Sequence, residues 1–386
     1  MNSLLSPREI LEKLVAFPTV SDQSNLDLIG WVEAYLAGHG IASVRVPNGD
    51  GTKTALYAMA GPEAEGGVIL SGHSDVVPVA GQDWTSDPFT LVERDGRLFG
   101  RGTCDMKGFV ALAIAAMPLA ARSGLSRPLQ LAISYDEEVG CTGVAPMIAE
   151  MSRHFPRATA AVIGEPSMMQ AVTAHKASDS LAVHVRGHEV HSSILHRGAS
   201  AVMEAARLID WANNTNAASA AGPFSDIAAA FDPPWTTLHV GQISGGTADN
   251  ITARDCRFMV TFRTVPSERP ADWVKAVQTE AARIEAAMKA IHPDCAITVD
   301  HVGSVPPLAP ESGGAAEALV RRLTGDNGRA VVSYATEAGH FQAGGYSAIV
   351  CGPGNIEQAH QPDEYLSVRQ FERGWAFMQA LVADLR

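Results

Sequence analysis

Residues 128–140 read PLQLAISYDEEVG. The first half is a short apolar run of strand length, bounded by Pro128. The second half turns abruptly acidic, ending in the adjacent pair Glu137 and Glu138. A strand that is buried and then stops at two neighbouring carboxylates is physically costly. Like charges repel, and burial raises that cost unless a cation or a proton relieves it. For an isolated Glu-Glu pair a solvated acidic loop is the ordinary reading, so the surrounding sequence has to decide.

Working outward, the same texture recurs. Gly67–Ser71 and Ala160–Gly164 are apolar strand-like runs, and Lys107–Ala121 (KGFVALAIAAMPLAA) reads as a buried helix. Strands alternating with helices predict an α/β layer with a largely parallel sheet. After Lys176 the pattern changes. Ser180–Arg186 alternates like a half-exposed strand, and a helix is predicted over Ala199–Trp211. Strands follow at Thr237–Ile243 and Cys256–Arg263, then a helix over Ala271–Ile291 and a strand at Ala296–Asp300. That order, βαββαβ, is a compact antiparallel α+β unit of ferredoxin-like type. Past Pro306 the α/β texture resumes, with a helix near Gly314–Leu323 and a strand at Ser347–Cys351. The expected fold is therefore α/β. A mostly parallel-sheet domain spans 1–177 and 307–386, and an α+β domain is inserted over 178–306.

Ligands of open α/β sheets collect beyond the carboxyl ends of the strands. The first run leads into His73-Ser74-Asp75, the second into Glu137-Glu138, and the third into Glu165. The last leads into GPGNIEQAH, ending at His360, and Asp105 lies in a glycine-rich turn before the buried helix. Imidazole plus carboxylate without thiolate suits zinc, or less specifically cobalt or manganese. The donors are too many for one tetrahedral ion and about right for two, which can share a bridging carboxylate. Asp75 is placed to accept the second N–H of a ligating His73, although a turn aspartate at a strand end is common.

Composition narrows the class. Of 386 residues, 46% are hydrophobic and 18% charged, and 42 acidic against 29 basic residues give a net charge of −13. No basic cluster stands out, which argues against nucleic acid as a partner. No continuous apolar run is long enough to span a membrane. The N-terminal MNSLLSPREILEKL reads as a helix start, with Ser6 as cap, Pro7 at the first position and Glu9 closing a capping box, rather than as a signal peptide. Five scattered cysteines without a CxxC pair suggest neither a disulfide framework nor a thiolate zinc site, and a reducing cytoplasm is expected.

The motifs GHSDVVPV (72–79), GRGTCDMKG (100–108), SYDEEVGCTG (134–143), GEPS (164–167) and QAHQPDEY (358–365) resemble those of the zinc-dependent deacylase and exopeptidase family. That family also holds desuccinylases, aminoacylases and glutamate-releasing carboxypeptidases. Nearly the whole chain takes part, and several stretches most resemble the acetylornithine deacetylase branch. The resemblance implies two divalent metal ions, zinc first and cobalt second. Asp105 would bridge them, with His73 and Glu165 completing one site and Glu138 and His360 the other. Glu137 would be the general base and Asp75 the partner of His73. The inserted domain would act as a lid and dimerisation unit and make the chain a homodimer. It would supply His191 to the active site, with Gly246, Asn250 and Arg263 contacting substrate and Arg263 binding a carboxylate. The implied activity is removal of an acetyl group from an N-acetyl amino acid. Another N-acyl-amino-acid deacylase, a desuccinylase or a dipeptidase is the alternative, and a non-catalytic binder the outlying one. The chain departs from the family pattern at Ala177, Ile194–Ser200, Asp249 and Thr252, and adds an imidazole, His340. All these departures fall on the substrate side.

Overall fold

The computed structural model describes residues 4–386, so Met1–Ser3 of the N-terminal stretch lie outside the described residues. The first helix, Pro7–Val15, starts with the expected capping box, in which Ser6 and Glu9 satisfy each other's backbone N–H groups.

The chain divides into two units, each with its own apolar core. One comprises the chain up to Ala174, Pro310–Ala330 and Thr336–Arg386; the other comprises His175–Ala309 and Val331–Ala335. The large sheet runs in the order Ser43–Pro47, Thr54–Ala60, Leu129–Ser134, Gly67–His73, Ala158–Pro166, Ser347–Gly352, Val172–His175, Ala330–Val332. Its four central neighbours, from Leu129–Ser134 to Ser347–Gly352, are mutually parallel. Thr54–Ala60 and Val172–His175 flank them antiparallel. Every residue of Gly67–His73 and Leu129–Ser134 is buried, which is why these strands read as continuous apolar runs instead of alternating ones. The helix Lys107–Ala121 is buried over nearly its whole length. It lies so close to the sheet that a Cβ on Gly164 would sit 1.9 Å from Phe109 Cγ.

Parallel pairing sends the four carboxyl ends to one edge. Two strands run further than their apolar residues suggest. His73 is still in register with Ser134, and the strand carrying Glu165 ends only at Pro166. The backbone ladder continues where the side-chain chemistry has already changed, so His73 and Glu165 sit on rigid strand ends.

The second unit holds the strands Ala177–Arg186, Thr237–His239, Ile243–Gly245, Asp255–Thr264 and Ala296–Val305 and the helices Ala201–Ala220 and Pro270–Lys289. Its sheet is antiparallel, ordered Thr237–His239, Asp255–Thr264, Ala177–Arg186, Ala296–Val305, with Ile243–Gly245 also on Asp255–Thr264. Alternate residues of Ala177–Arg186 are buried, the mark of a sheet covered on one face. The single strand expected over Thr237–Ile243 is two short ones. The helix expected to end at Trp211 continues to Ala220, through an alanine- and asparagine-rich segment that lacks the apolar periodicity on which the sequence reading relied. Among the described residues, no helix is long and apolar enough to cross a membrane.

Candidate metal centre

The seven residues expected around the metals all lie at the carboxyl edge of the large sheet or on loops reaching it. Asp105 is the pivot. Its Oδ1 is 3.1 Å from His73 Nε2, and its Oδ2 is 3.4 Å from His360 Nε2. Glu165 Oε1 is 3.7 Å from His73 Nε2, and Glu138 Oε2 is 3.0 Å from His360 Nε2. Two donors bound at ~2.1 Å to one tetrahedral ion lie roughly 3.4 Å apart, so these spacings suit shared cations. His73 is fully buried, whereas the His360 side chain is 52% exposed.

Two groups of donor atoms lie within 4.8 Å of one another, His73 with Asp105 and Glu138, and His73 with Glu137 and Glu165. Glu137, for which the family resemblance implies a base rather than a ligand, thus stands within reach of the same cation space. Glu138 Oε1 and Glu165 Oε1 are buried without a hydrogen-bond partner, acceptors that a cation would satisfy. Burial drives the carboxyls of Glu137 and Glu165 well above the ordinary range, and neighbouring acids push the same way. Burial also opposes ionisation of Asp105, but its hydrogen bonds to His360 and His73 outweigh it and hold that carboxyl low. A pocket with this many acids ionises fully only beside compensating positive charge. The oxygen and imidazole donor set therefore fits two divalent ions.

The Glu137-Glu138 pair is held from its backbone side. Asp75 accepts the backbone N–H of Glu137 at 3.2 Å and of Glu138 at 3.3 Å, and the Ser21 hydroxyl at 2.7 Å. Asp136 pairs with Lys53. The two glutamate side chains then diverge. Glu138 meets His360, while Glu137 receives the Cys141 thiol at 3.5 Å. Towards His73, Asp75 offers two acceptors to Nδ1, its own carbonyl at 2.9 Å and its carboxylate at 3.5 Å. Either one leaves Nε2 turned to Asp105.

In the second unit His191 is exposed, and its Nδ1 accepts the Ser193 N–H at 3.2 Å. Ser192 N–H donates to the Asn250 carbonyl at 2.9 Å, so the His191 and Asn250 segments adjoin. Gly246 adopts φ 81°, and Arg263 lies on Asp255–Thr264 opposite Ser178 and Thr237. Ala177 and Thr252 are buried, and Thr252 Oγ1 bonds His188 O at 2.8 Å and Val190 N at 2.7 Å. Those two departures are absorbed inside the unit, whereas Asp249 is exposed. Burial holds the extra imidazole, His340, down to about 4, hence neutral.

Two buried acids escaped the sequence reading. Glu337 accepts the hydroxyls of Ser134 and, at 3.4 Å, Ser71. Glu364 binds the glycine-rich turn that carries Asp105. Glu364 lies within the QAHQPDEY motif and Glu337 three residues before His340, but neither follows an apolar run.

The model of peptidase family M20/M25/M40 matches residues 69–384. The chain is 33% identical over 394 residues to the acetylornithine deacetylase of Myxococcus xanthus, covering 99% of this chain and 98% of that one. Among solved structures, an M20 family metallo-carboxypeptidase from Sulfolobus solfataricus superposes with a TM-score of 0.77 at 14% identity, covering 98% of each chain. A dinuclear metal binding peptidase of the M20 family from Bacillus subtilis gives 0.65 at 15% identity, covering 98% of this chain and 97% of that one. At such identities the structures speak for the fold alone.

Proposed function

Because the chain belongs to peptidase family M20/M25/M40, we propose that it is a di-metal amide hydrolase that deacetylates an N-acetyl amino acid. N2-acetyl-L-ornithine, yielding L-ornithine and acetate, is the first substrate of this reading. The observation that carries it is the Asp105 carboxylate, whose two oxygens face two different imidazoles at 3.1 and 3.4 Å.

In this reading Asp105 would be the donor common to both ions, His73 and Glu165 would help hold one, and Glu138 and His360 would help hold the other. When bound, such ions would supply Lewis-acid chemistry, making a water more acidic and polarising the acyl carbonyl. The protein's own groups manage the proton and the pose. Glu137 accepts the proton of the attacking water on its carboxylate and returns it to the leaving amine nitrogen. Asp75 keeps the Glu137 and Glu138 amides in place and orients His73. His191, Gly246, Asn250 and Arg263 are proposed substrate contacts, with Arg263 pairing with the carboxylate and His191 aiding the carbonyl oxygen. Zinc is the proposed native metal with cobalt as substitute, the proposed compartment is the cytoplasm, and the proposed assembly is a homodimer through the inserted unit.

A panel of N-acetyl amino acids, succinyl-diaminopimelate and dipeptides, assayed with zinc- and cobalt-loaded protein and again after chelation, tests the reading. Fastest turnover of acetylornithine, abolished by chelation and restored by metal, is expected. Faster turnover of another N-acyl amino acid or a dipeptide would reassign the substrate. No turnover with either metal would remove the enzyme reading.

A further inference from the structure

Glu364 is 1% exposed, and donors from the glycine-rich turn surround its carboxylate. Oε1 accepts the backbone N–H of Cys104 at 2.8 Å and of Asp105 at 3.0 Å. Oε2 accepts the Gly102 N–H at 3.1 Å and the Arg101 guanidinium at 2.7 Å. Arg101 also donates to Gln82 Oε1 at 2.5 Å, and Gln82 Nε2 donates to the His360 carbonyl at 2.9 Å. The strand Tyr365–Ser367 pairs with Arg97–Phe99, so the backbones leading into both loops are tied as well.

We propose that Glu364 is the positioning residue that holds Asp105 between His73 and His360. The inference rests on the metal-centre reading above. The turn at 100–106 has no ladder to satisfy its buried N–H groups, and the Gly102 φ of 83° keeps it out of regular structure. One carboxylate does that work for three amides of the turn, those of Gly102, Cys104 and Asp105, and its bond to the Arg101 guanidinium is charge-assisted. The Asp105 amide is among them, so the grip of Glu364 sets where the Asp105 carboxylate points. Through Arg101 and Gln82 the same residue reaches the loop that carries His360. Glu364 thereby couples the chain segments that supply a shared donor and a terminal one.

The test uses the full-length metal-free protein with Glu364→Asp and Glu364→Gln. Each is titrated with Co2+ and followed by visible absorption, alongside thermal unfolding without metal. Glu364→Asp keeps a charge opposite Arg101 but withdraws from the Cys104 and Asp105 amides. It is expected to keep a cooperative metal-free unfolding transition at a somewhat lower temperature, because two buried amides lose their acceptor, to bind Co2+ roughly 10- to 100-fold more weakly, beyond what that loss of stability explains, and to show an altered absorption band. Glu364→Gln is expected to weaken Co2+ binding at least as much. Wild-type affinity and spectrum in both variants would overturn the proposal. Loss of affinity accompanied by an equal loss of the metal-free fold would also overturn it, since that marks a merely structural acid. A wild-type protein that binds no Co2+ would sink the metal reading and this inference together. Co2+ binding that responds to Glu364 in a protein without turnover would remove only the assigned reaction.

Discussion

At the scale of single residues, Asp75 fixes the backbone of the Glu137-Glu138 pair. Its carboxylate holds both backbone amides, so the loop stays fixed while the two side chains diverge. If Glu137 moves the proton and Glu138 binds metal, the neighbours answer differently to the same substitution. Glu137→Gln should keep both metals and lower kcat roughly 10²- to 10⁴-fold, read from steady-state rates beside metal content; undiminished kcat would strip Glu137 of its role. Glu138→Gln should instead lose metal. Glu337 allows a prediction independent of turnover. Burial raises its carboxyl from 4.5 to about 7. The folded chain then keeps a proton that the unfolded chain releases. That contribution is complete below about pH 4.5 and is lost as pH rises through about 7. Glu337→Gln preserves an acceptor for Ser134 and cannot titrate. In urea unfolding of metal-free protein, wild type should therefore lose stability relative to the variant between pH 5 and 8, on the order of 3 kcal/mol. Parallel pH profiles for the two would refute the assignment.

At the scale of elements, the site was legible wherever an apolar run broke into polar residues. His73, Glu137, Glu138 and Glu165 all announce themselves that way, and the helix Lys107–Ala121 has the span its composition predicts. The strand ends were less legible, because the ladder continues through His73 and Pro166 after the apolar residues stop. Ser21, Lys53 and Glu364 were invisible for a different reason. They act through bonds to groups from about fifty to more than two hundred and fifty residues away, and such bonds leave no periodic trace. Register also hides tight packing. Gly164 lies one residue before Glu165, and its missing Cβ admits the Phe109 ring at a distance of 1.9 Å from where that atom would be. Gly164→Ala must push the helix and the strand apart. A loss of roughly 1–3 kcal/mol or more in urea unfolding is expected, with weaker metal binding because Glu165 moves with the strand. An unchanged unfolding midpoint would mean that the helix and sheet yield freely at this point.

At the scale of the molecule, the insertion was readable because a two-sided buried sheet and a one-sided sheet write different patterns. Leu129–Ser134 is buried at every position, and Ala177–Arg186 at every second one. The two units have separate cores, and the residues read as metal ligands all belong to the one holding the large parallel sheet. Metal binding to the folded form alone stabilises it by RT ln(1 + [M]/Kd), about 4 kcal/mol at a thousandfold excess over Kd. For a unit of this size that is worth roughly 10 °C. Removing the metal also restores the mutual repulsion of Asp105, Glu137, Glu138 and Glu165, which works in the same direction. Calorimetry with and without a chelator should therefore shift the transition of the large-sheet unit downward by about that amount. The transition of the inserted unit, which contains none of these donors, should stay where it was. Equal shifts of both would show that the units melt together, and an unmoved profile would show that the acids and imidazoles around Asp105 hold no metal in solution.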